Sequence, residues 1–166
     1  MPQPPDPDAR PAHLHLSFAA SPVAVRDNLV RMLAVPPLSG LSAEARGDAE
    51  LVLAEVLNNV AEHAYPDRVG PVSVMLCRVK DGVVCRVVDQ GAAMPGHRLP
   101  EGELTAGPSL ALDDLPEGGF GWHLIRSLTR DLVYVRDVGE NRLSFRLPDA
   151  EHCLDLLQIA AVTPSG

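Results

Sequence analysis

The sequence has little lysine and little cysteine, and each shortage excludes a kind of site. Lys80 is the only lysine among 14 basic residues, and it stands beside a predicted turn. A P-loop or Schiff-base lysine is therefore not expected. The cysteines, Cys77, Cys85 and Cys153, lack metal-ligand spacing and are too few and odd in number for a disulfide framework. We expect three reduced thiols.

The sequence also lacks an excess of positive charge and long apolar runs. Asp and Glu total 22 against 14 Lys and Arg, so the formal net charge is −8. Non-specific nucleic-acid binding needs an electropositive surface, which this balance disfavours. No apolar run approaches the ~20 residues that cross a membrane, and the N-terminus lacks the apolar segment of a secretory signal. We expect a cytoplasmic protein without a direct nucleic-acid or membrane partner.

The remaining composition is that of one folded domain. The chain has 166 residues, of which 46% are hydrophobic and 22% charged, an ordinary globular balance. Residues 1–12 hold five of the 16 prolines, which predicts a disordered leader. We place the domain at residues 13–148 and expect a tail at 149–166 with a short helix.

Hydrophobic spacing predicts alternating helices and strands. Residues 13–18 alternate as a strand does, and Ser21-Pro22 is a typical helix start. A second helix follows Ser42 and ends before Pro66, with valines at helical spacing on its core face. Two strands then flank Lys80-Asp81-Gly82 as a hairpin, and a closing hairpin is predicted around Gly139-Glu140-Asn141.

Polar residues interrupt the second helix at a regular spacing. Glu55, Asn59 and His63 lie at i, i+4 and i+8 and therefore share one face. A solvated polar face would explain the stripe, although asparagine is a poor helix former. The alternative is a site in which the amide oxygen of Asn59 binds Mg²⁺ and Glu55 acts as a base.

Two glycine-containing segments follow strands or loops later in the chain. Asp89-Gln90-Gly91 ends a predicted strand; it is either a simple turn or a carboxylate that accepts the exocyclic amino group of adenine, with Gly91 allowing close backbone approach. Gly119-Phe120-Gly121 opens a predicted helix, whose first amides can bind an anion. Between them, residues 92–118 lack periodicity, as a mobile lid does. A complete Rossmann or Walker pattern is absent.

The order of these segments is specific in combination. EVLNNVAEHAYPD resembles the N-box of the GHKL (Bergerat-fold) ATPases, and DQGAAMP and EGGFGWHLIRSL resemble their two glycine boxes. The resemblance covers about residues 14–147 and is closest to the anti-sigma factor serine kinases. It implies an α+β fold: a two-layer sandwich with a mixed, mostly antiparallel sheet that helices cover on one face.

The resemblance also implies roles for individual residues. Asn59 matches the Mg²⁺-binding asparagine and Glu55 the general base that deprotonates the acceptor serine. His63, Asp89 and Gly91 match positions in the nucleotide pocket. The remaining implied positions are the lid-end glycines, Gly119 and Gly121, and a partner-contacting arginine, Arg26.

The function implied is an ATP- and Mg²⁺-dependent serine kinase that is also an anti-sigma factor. Its partners would be a sigma factor and an anti-sigma factor antagonist that accepts the phosphate. A homodimer is expected because Leu14, Leu16, Leu154 and Leu157 offer apolar edges, unless these residues complete the monomer core. Two alternatives stay open: a nucleotide-dependent sequestering module without transfer, and the catalytic half of a histidine kinase, against which the absence of a phosphoacceptor helix pair argues.

Overall fold

A computed structural model describes residues 13–101 and 119–149 of the chain. The predicted leader, most of the predicted lid and the predicted tail helix lie outside these residues. Within them, no helix combines the length and apolar character needed to cross a membrane.

Two of the described helices begin at the predicted capping residues, and a third begins at the predicted glycine-rich turn. Helix α1 spans Pro22–Leu33, and the Ser21 hydroxyl accepts the Ala24 amide at 3.2 Å. Helix α2 spans Ala43–Asn59 and is capped in the same way by Ser42. A single π turn, Val60–Ala64, continues it. Helix α3 spans Gly119–Leu128, so both glycines of its predicted entry turn are already helical.

Five strands form one sheet. They are β1 (His13–Ala19), β2 (Pro71–Val79), β3 (Gly82–Asp89), β4 (Arg130–Asp137) and β5 (Glu140–Pro148). The order across the sheet is β1-β2-β3-β5-β4. All four pairings are antiparallel, whereas a mixed sheet was expected. The reason is that β3 pairs with β5 rather than with the next strand along the chain, so the crossover through α3 joins no parallel neighbours.

The two-layer arrangement agrees with the prediction. Alternate residues of the central strands are buried, as in Val83, Cys85 and Val87 of β3. They form one core with the inner faces of the helices, including Met32 of α1 and Leu53 of α2. On the opposite sheet face Met75, Val84, Val133 and Val135 remain exposed. Helices therefore cover a single face of the sheet.

The hairpin turns are short. Strands β2 and β3 pair from Val79 opposite Gly82, which leaves Lys80 and Asp81 as the turn. In the second hairpin Asp137 pairs with Glu140, so the turn is Val138-Gly139. The sequence placed this turn one to two residues later. The difference matters because it moves Asn141 from a predicted loop into β5, where its side chain faces the interior.

Candidate functional site

A cavity of about 540 Å³ opens between the end of α2 and the sheet. This volume is in the range of small-molecule sites. Its walls are largely apolar, and a few polar groups converge on it: Asn59, Glu62, His63, Asp89, Tyr134 and Asn141. Trp122 of α3 closes one side and is buried. Among the residues predicted to bind ATP, the cavity brings together Asn59, His63 and Asp89.

Asp89 is the buried acid of this cavity. Its Oδ1 atom accepts the Gly91 amide at 2.9 Å and the Asn141 side-chain nitrogen at 2.8 Å. Two donors thus hold one carboxylate oxygen, and the carboxylate retains acceptor capacity at its other oxygen. Desolvation by burial raises the pKa of Asp89, while the bonds from Asn141 and Gly91 and the nearby Arg136 oppose that rise. Because burial disfavours its charge, a ligand that donates a hydrogen bond would relieve this cost.

Asn141 joins Asp89 to the outer strand. Its oxygen accepts bonds from the Tyr134 hydroxyl and from Arg136, both at 2.7 Å. Its nitrogen also donates to the Ala92 carbonyl at 2.9 Å. Asn141 was not among the site residues predicted from the sequence. The sequence feature that could have identified it is the two-residue alternation of β5, which puts Asn141 on the same buried face as Leu143, Phe145 and Leu147. This alternation is apparent only when the turn is placed at Val138-Gly139.

Tyr65 connects the end of α2 to the strand that carries Asp89. Its hydroxyl donates to the Pro71 carbonyl at 2.7 Å and accepts the Gln90 amide at 2.8 Å. Burial raises the pKa of Tyr65, so the hydroxyl stays protonated and able to donate. Tyr65 was not among the residues predicted from the sequence to belong to the site.

Tyr65→Phe removes both of these hydrogen bonds and keeps the ring. We expect the free energy of unfolding to fall by about 1–2 kcal/mol, since each such bond contributes ~1 kcal/mol. Urea denaturation measures this loss. An unchanged midpoint and slope would mean that the hydroxyl does not help to hold the Asp89 strand.

Gly91 lies against the π turn. A Cβ at this position would overlap the Ala64 carbonyl, and the Ala92 amide donates to the same carbonyl at 2.8 Å. The absence of a side chain therefore lets the Asp89 loop dock on α2. Gly91 is not among the residues that line the cavity, and its predicted approach to an adenine ring stays a prediction.

The π turn decides which residues of α2 reach the cavity. Asn59 is the last residue before it, and His63 lies within it. Both line the cavity, as does Glu62. The wider turn breaks the strict i, i+4 spacing that the sequence suggested, and π turns of this kind are frequent at functional sites. Glu55 lies one turn earlier and does not line the cavity.

Glu55 instead lies against the start of α3. A Cβ on Gly121 would overlap Oε2 of Glu55 and lie 3.3 Å from its Cδ. Gly121 therefore faces the predicted base, and it is not among the cavity-lining residues. Arg26 is exposed on α1, as a partner-contacting residue must be.

The sequence profile of a family described as "Histidine kinase-like ATPase domain" matches residues 18–147. The chain belongs to this family. The match spans strands β2 to β4, nearly all of β5, the three helices and every residue of the cavity, and it includes only the end of β1. It agrees with the GHKL resemblance read from the N-box and the two glycine boxes.

Curated serine-protein kinases are similar to this chain over part of its length. "Serine-protein kinase RsbW" of Bacillus cereus (strain AH187) is 27% identical over 111 residues, covering 65% of this chain and 68% of that protein. The protein of the same name from Bacillus mycoides (strain KBAB4) is 26% identical over the same extent.

Asn59 stands at the predicted metal position, and its amide oxygen is a hard donor of the kind that Mg²⁺ takes. The side-chain nitrogen of Asn59 is buried without a hydrogen-bond partner among the described residues. The part of the chain that the structure describes contains no group of three or more His, Cys, Asp or Glu that could hold a metal. The predicted Mg²⁺ would have Asn59 as a protein ligand and would take phosphate oxygens and water as others, as is usual for this ion.

Proposed function

We propose that the chain is an ATP-dependent protein serine kinase and an anti-sigma factor, which phosphorylates an anti-sigma factor antagonist in a partner-switching pathway. The observation that carries the proposal is the buried Asp89, held at one oxygen by Gly91 and Asn141 in a cavity that Asn59 also lines. The family membership and the serine kinases among the relatives support it.

Asp89 reads the adenine in this proposal. Its second oxygen accepts the exocyclic amino group, and the apolar walls formed by Val56, Val87 and Leu143 receive the ring. His63 borders the nucleotide at the end of α2. Because the acceptor carboxylate is buried and held in position before the ligand arrives, binding costs little conformational entropy at this side chain.

The phosphates lie toward Asn59 and the start of α3. Bound Mg²⁺, ligated by Asn59, would neutralise charge on the phosphate oxygens. The first amides of α3, at Gly119 and Gly121, have no partners within their helix and face the phosphates.

Glu55 accepts the proton in the transfer step. It takes the proton of the acceptor serine hydroxyl as the serine oxygen bonds to the γ-phosphorus. The bond from that phosphorus to the β–γ bridging oxygen breaks, and ADP leaves with the electron pair. Arg26, exposed on α1, contacts the protein partner.

A homodimer is part of the proposal. Strand β1 is an edge strand and pairs only with β2 in the described sheet, so it can extend pairing to a second copy. Leu14 and Leu16 are half-buried against the monomer core, whereas Leu154 and Leu157 lie outside the described residues. Light scattering of the full chain measures its oligomeric state.

One observation favours a second candidate function. Glu55 lies outside the cavity lining, so a nucleotide-dependent module that sequesters a partner without phosphorylating it needs only Asp89 and Asn59. Retention of Glu55 favours the kinase, because binding alone gives this carboxylate no role.

A transfer assay distinguishes the two functions. It combines the chain, labelled ATP, Mg²⁺ and the proteins that co-purify with the chain from the native cell. We expect label on a serine of one small partner, located by phosphosite mapping. ATP binding without transfer to any partner would favour the sequestering module. A chain that binds no ATP by calorimetry would contradict both.

A further inference from the structure

The start of α3 approaches the side of α2 that carries Glu55. Helices α2 and α3 pack together, and Gly121 is the third residue of α3. A Cβ built on Gly121 would overlap Oε2 of Glu55 and lie 3.3 Å from Cδ and 3.9 Å from Cγ. The carboxylate thus occupies the space that any other residue at position 121 would fill.

No hydrogen bond within residues 13–101 and 119–149 holds the Glu55 carboxylate. The carboxylate lies beside the first turn of α3, whose amides favour a nearby negative charge. A longer residue at position 121 would displace the carboxylate, because Glu55 is flexible and the helix backbone is not.

We infer that Gly121 is a positioning residue for Glu55: it leaves the space in which the general base is held against the first turn of α3. The inference rests on the proposed kinase function and adds a role to Gly121 that its amide toward the phosphates does not include. A substitution at position 121 should therefore lower the transfer rate and leave the free energy of unfolding nearly unchanged. The reason is that the glutamate side chain can rotate without disturbing the fold, but its proton-accepting oxygen then moves.

Gly121→Ala tests the inference, with Gly47→Ala as the matched control. Gly47 is also helical and has nothing within 4 Å of an added Cβ. We expect Gly121→Ala to fold and to bind ATP with little change in affinity. Serine transfer should fall by about 10–100-fold, because a misplacement of 1 Å can cost ~10²-fold in rate. Gly47→Ala should transfer at the wild-type rate.

Gly121→Ala is also made together with Glu55→Asp, to distinguish an effect on the space for the Glu55 carboxylate from an effect on nucleotide binding. Glu55→Asp shortens the side chain, so the methyl group no longer meets the carboxylate. In that background Gly121→Ala should change transfer by less than about twofold, which is the usual limit for independent sites. Wild-type transfer in Gly121→Ala alone, or an equal loss of activity or of ATP affinity in both backgrounds, would overturn the inference.

A measurement that does not depend on phosphate transfer tests this inference separately from the kinase proposal. The side-chain carboxyl ¹³C resonance of Glu55, assigned by its loss in Glu55→Asp, should move in Gly121→Ala and stay in place in Gly47→Ala. If the wild type transfers no phosphate, the kinase proposal fails and this resonance still decides the contact. An unmoved resonance in Gly121→Ala overturns it.

Discussion

Glu55→Ala is expected to slow serine phosphorylation by about 10²–10⁴-fold, the usual contribution of a general base, while ATP affinity stays unchanged. Glu55 does not line the cavity and packs instead against the start of α3. In the proposed mechanism its carboxylate acts on the acceptor serine as the hydroxyl proton leaves, and not on the bound nucleotide. The variant should still bind its protein partner.

Asn59→Ala should behave differently, although Asn59 lies only one helical turn away. It removes the one amide oxygen that we assign to Mg²⁺, so both Mg·ATP binding and transfer should fall. Glu50→Ala is the matched control, because Glu50 is an exposed acid on the same helix. Radiolabel transfer and calorimetry on the three variants measure both effects.

A wild-type rate in Glu55→Ala would contradict its assignment as the base. A parallel loss of ATP binding in Glu55→Ala and Asn59→Ala would mean that both residues act on the nucleotide. The sequestering alternative predicts instead that Glu55→Ala has no effect in any assay.

Asp89→Asn should weaken ATP binding by about 10–150-fold, which corresponds to the ~1.5–3 kcal/mol of a hydrogen bond to a charged group. The local geometry makes the amide unfavourable in both of its orientations. With its nitrogen toward the cavity, the amide presents a donor to the adenine amino group. With its nitrogen at the Oδ1 position, it faces two other donors, the Gly91 amide and the Asn141 side chain.

Calorimetric titration with Mg·ATP measures the Asp89→Asn effect, and Asp137→Asn is the control. Asp137 is an exposed acid at the end of β4, so its replacement tests the loss of one negative charge alone. Equal affinities for the wild type and Asp89→Asn would place the adenine elsewhere. Thermal unfolding of both variants checks that any loss of binding does not come from a loss of folded protein.

Local sequence signals determined the helix starts and the first hairpin. Ser21 and Ser42 cap helices because a hydroxyl can satisfy a free amide of the first turn, and this chemistry involves neighbours only. The Asp81-Gly82 signal between two runs rich in valine likewise predicted the hairpin that β2 and β3 form. The motif order was enough to indicate the family.

Tertiary structure decided which polar groups surround Asp89. Asn141 is 52 residues away in the chain, and it reaches Asp89 only because β3 and β5 pair directly opposite these two residues. A strand pairing over this distance depends on the complete sheet, and no local pattern specifies it. The pairing of β4 with β5 then brings Tyr134 and Arg136 to Asn141.

The sequence by itself determined the fold class, the family and the identities of Asp89, Asn59 and Glu55 as candidates, because capping, periodicity and motif spacing are properties of neighbouring residues. Only the tertiary structure showed that these three residues do not share one environment. Asn59 and Asp89 line one cavity, while Glu55 lies against Gly121, 66 positions later in the chain. The π turn and the docking of α3 on α2 produce that separation, since both result from packing between distant segments.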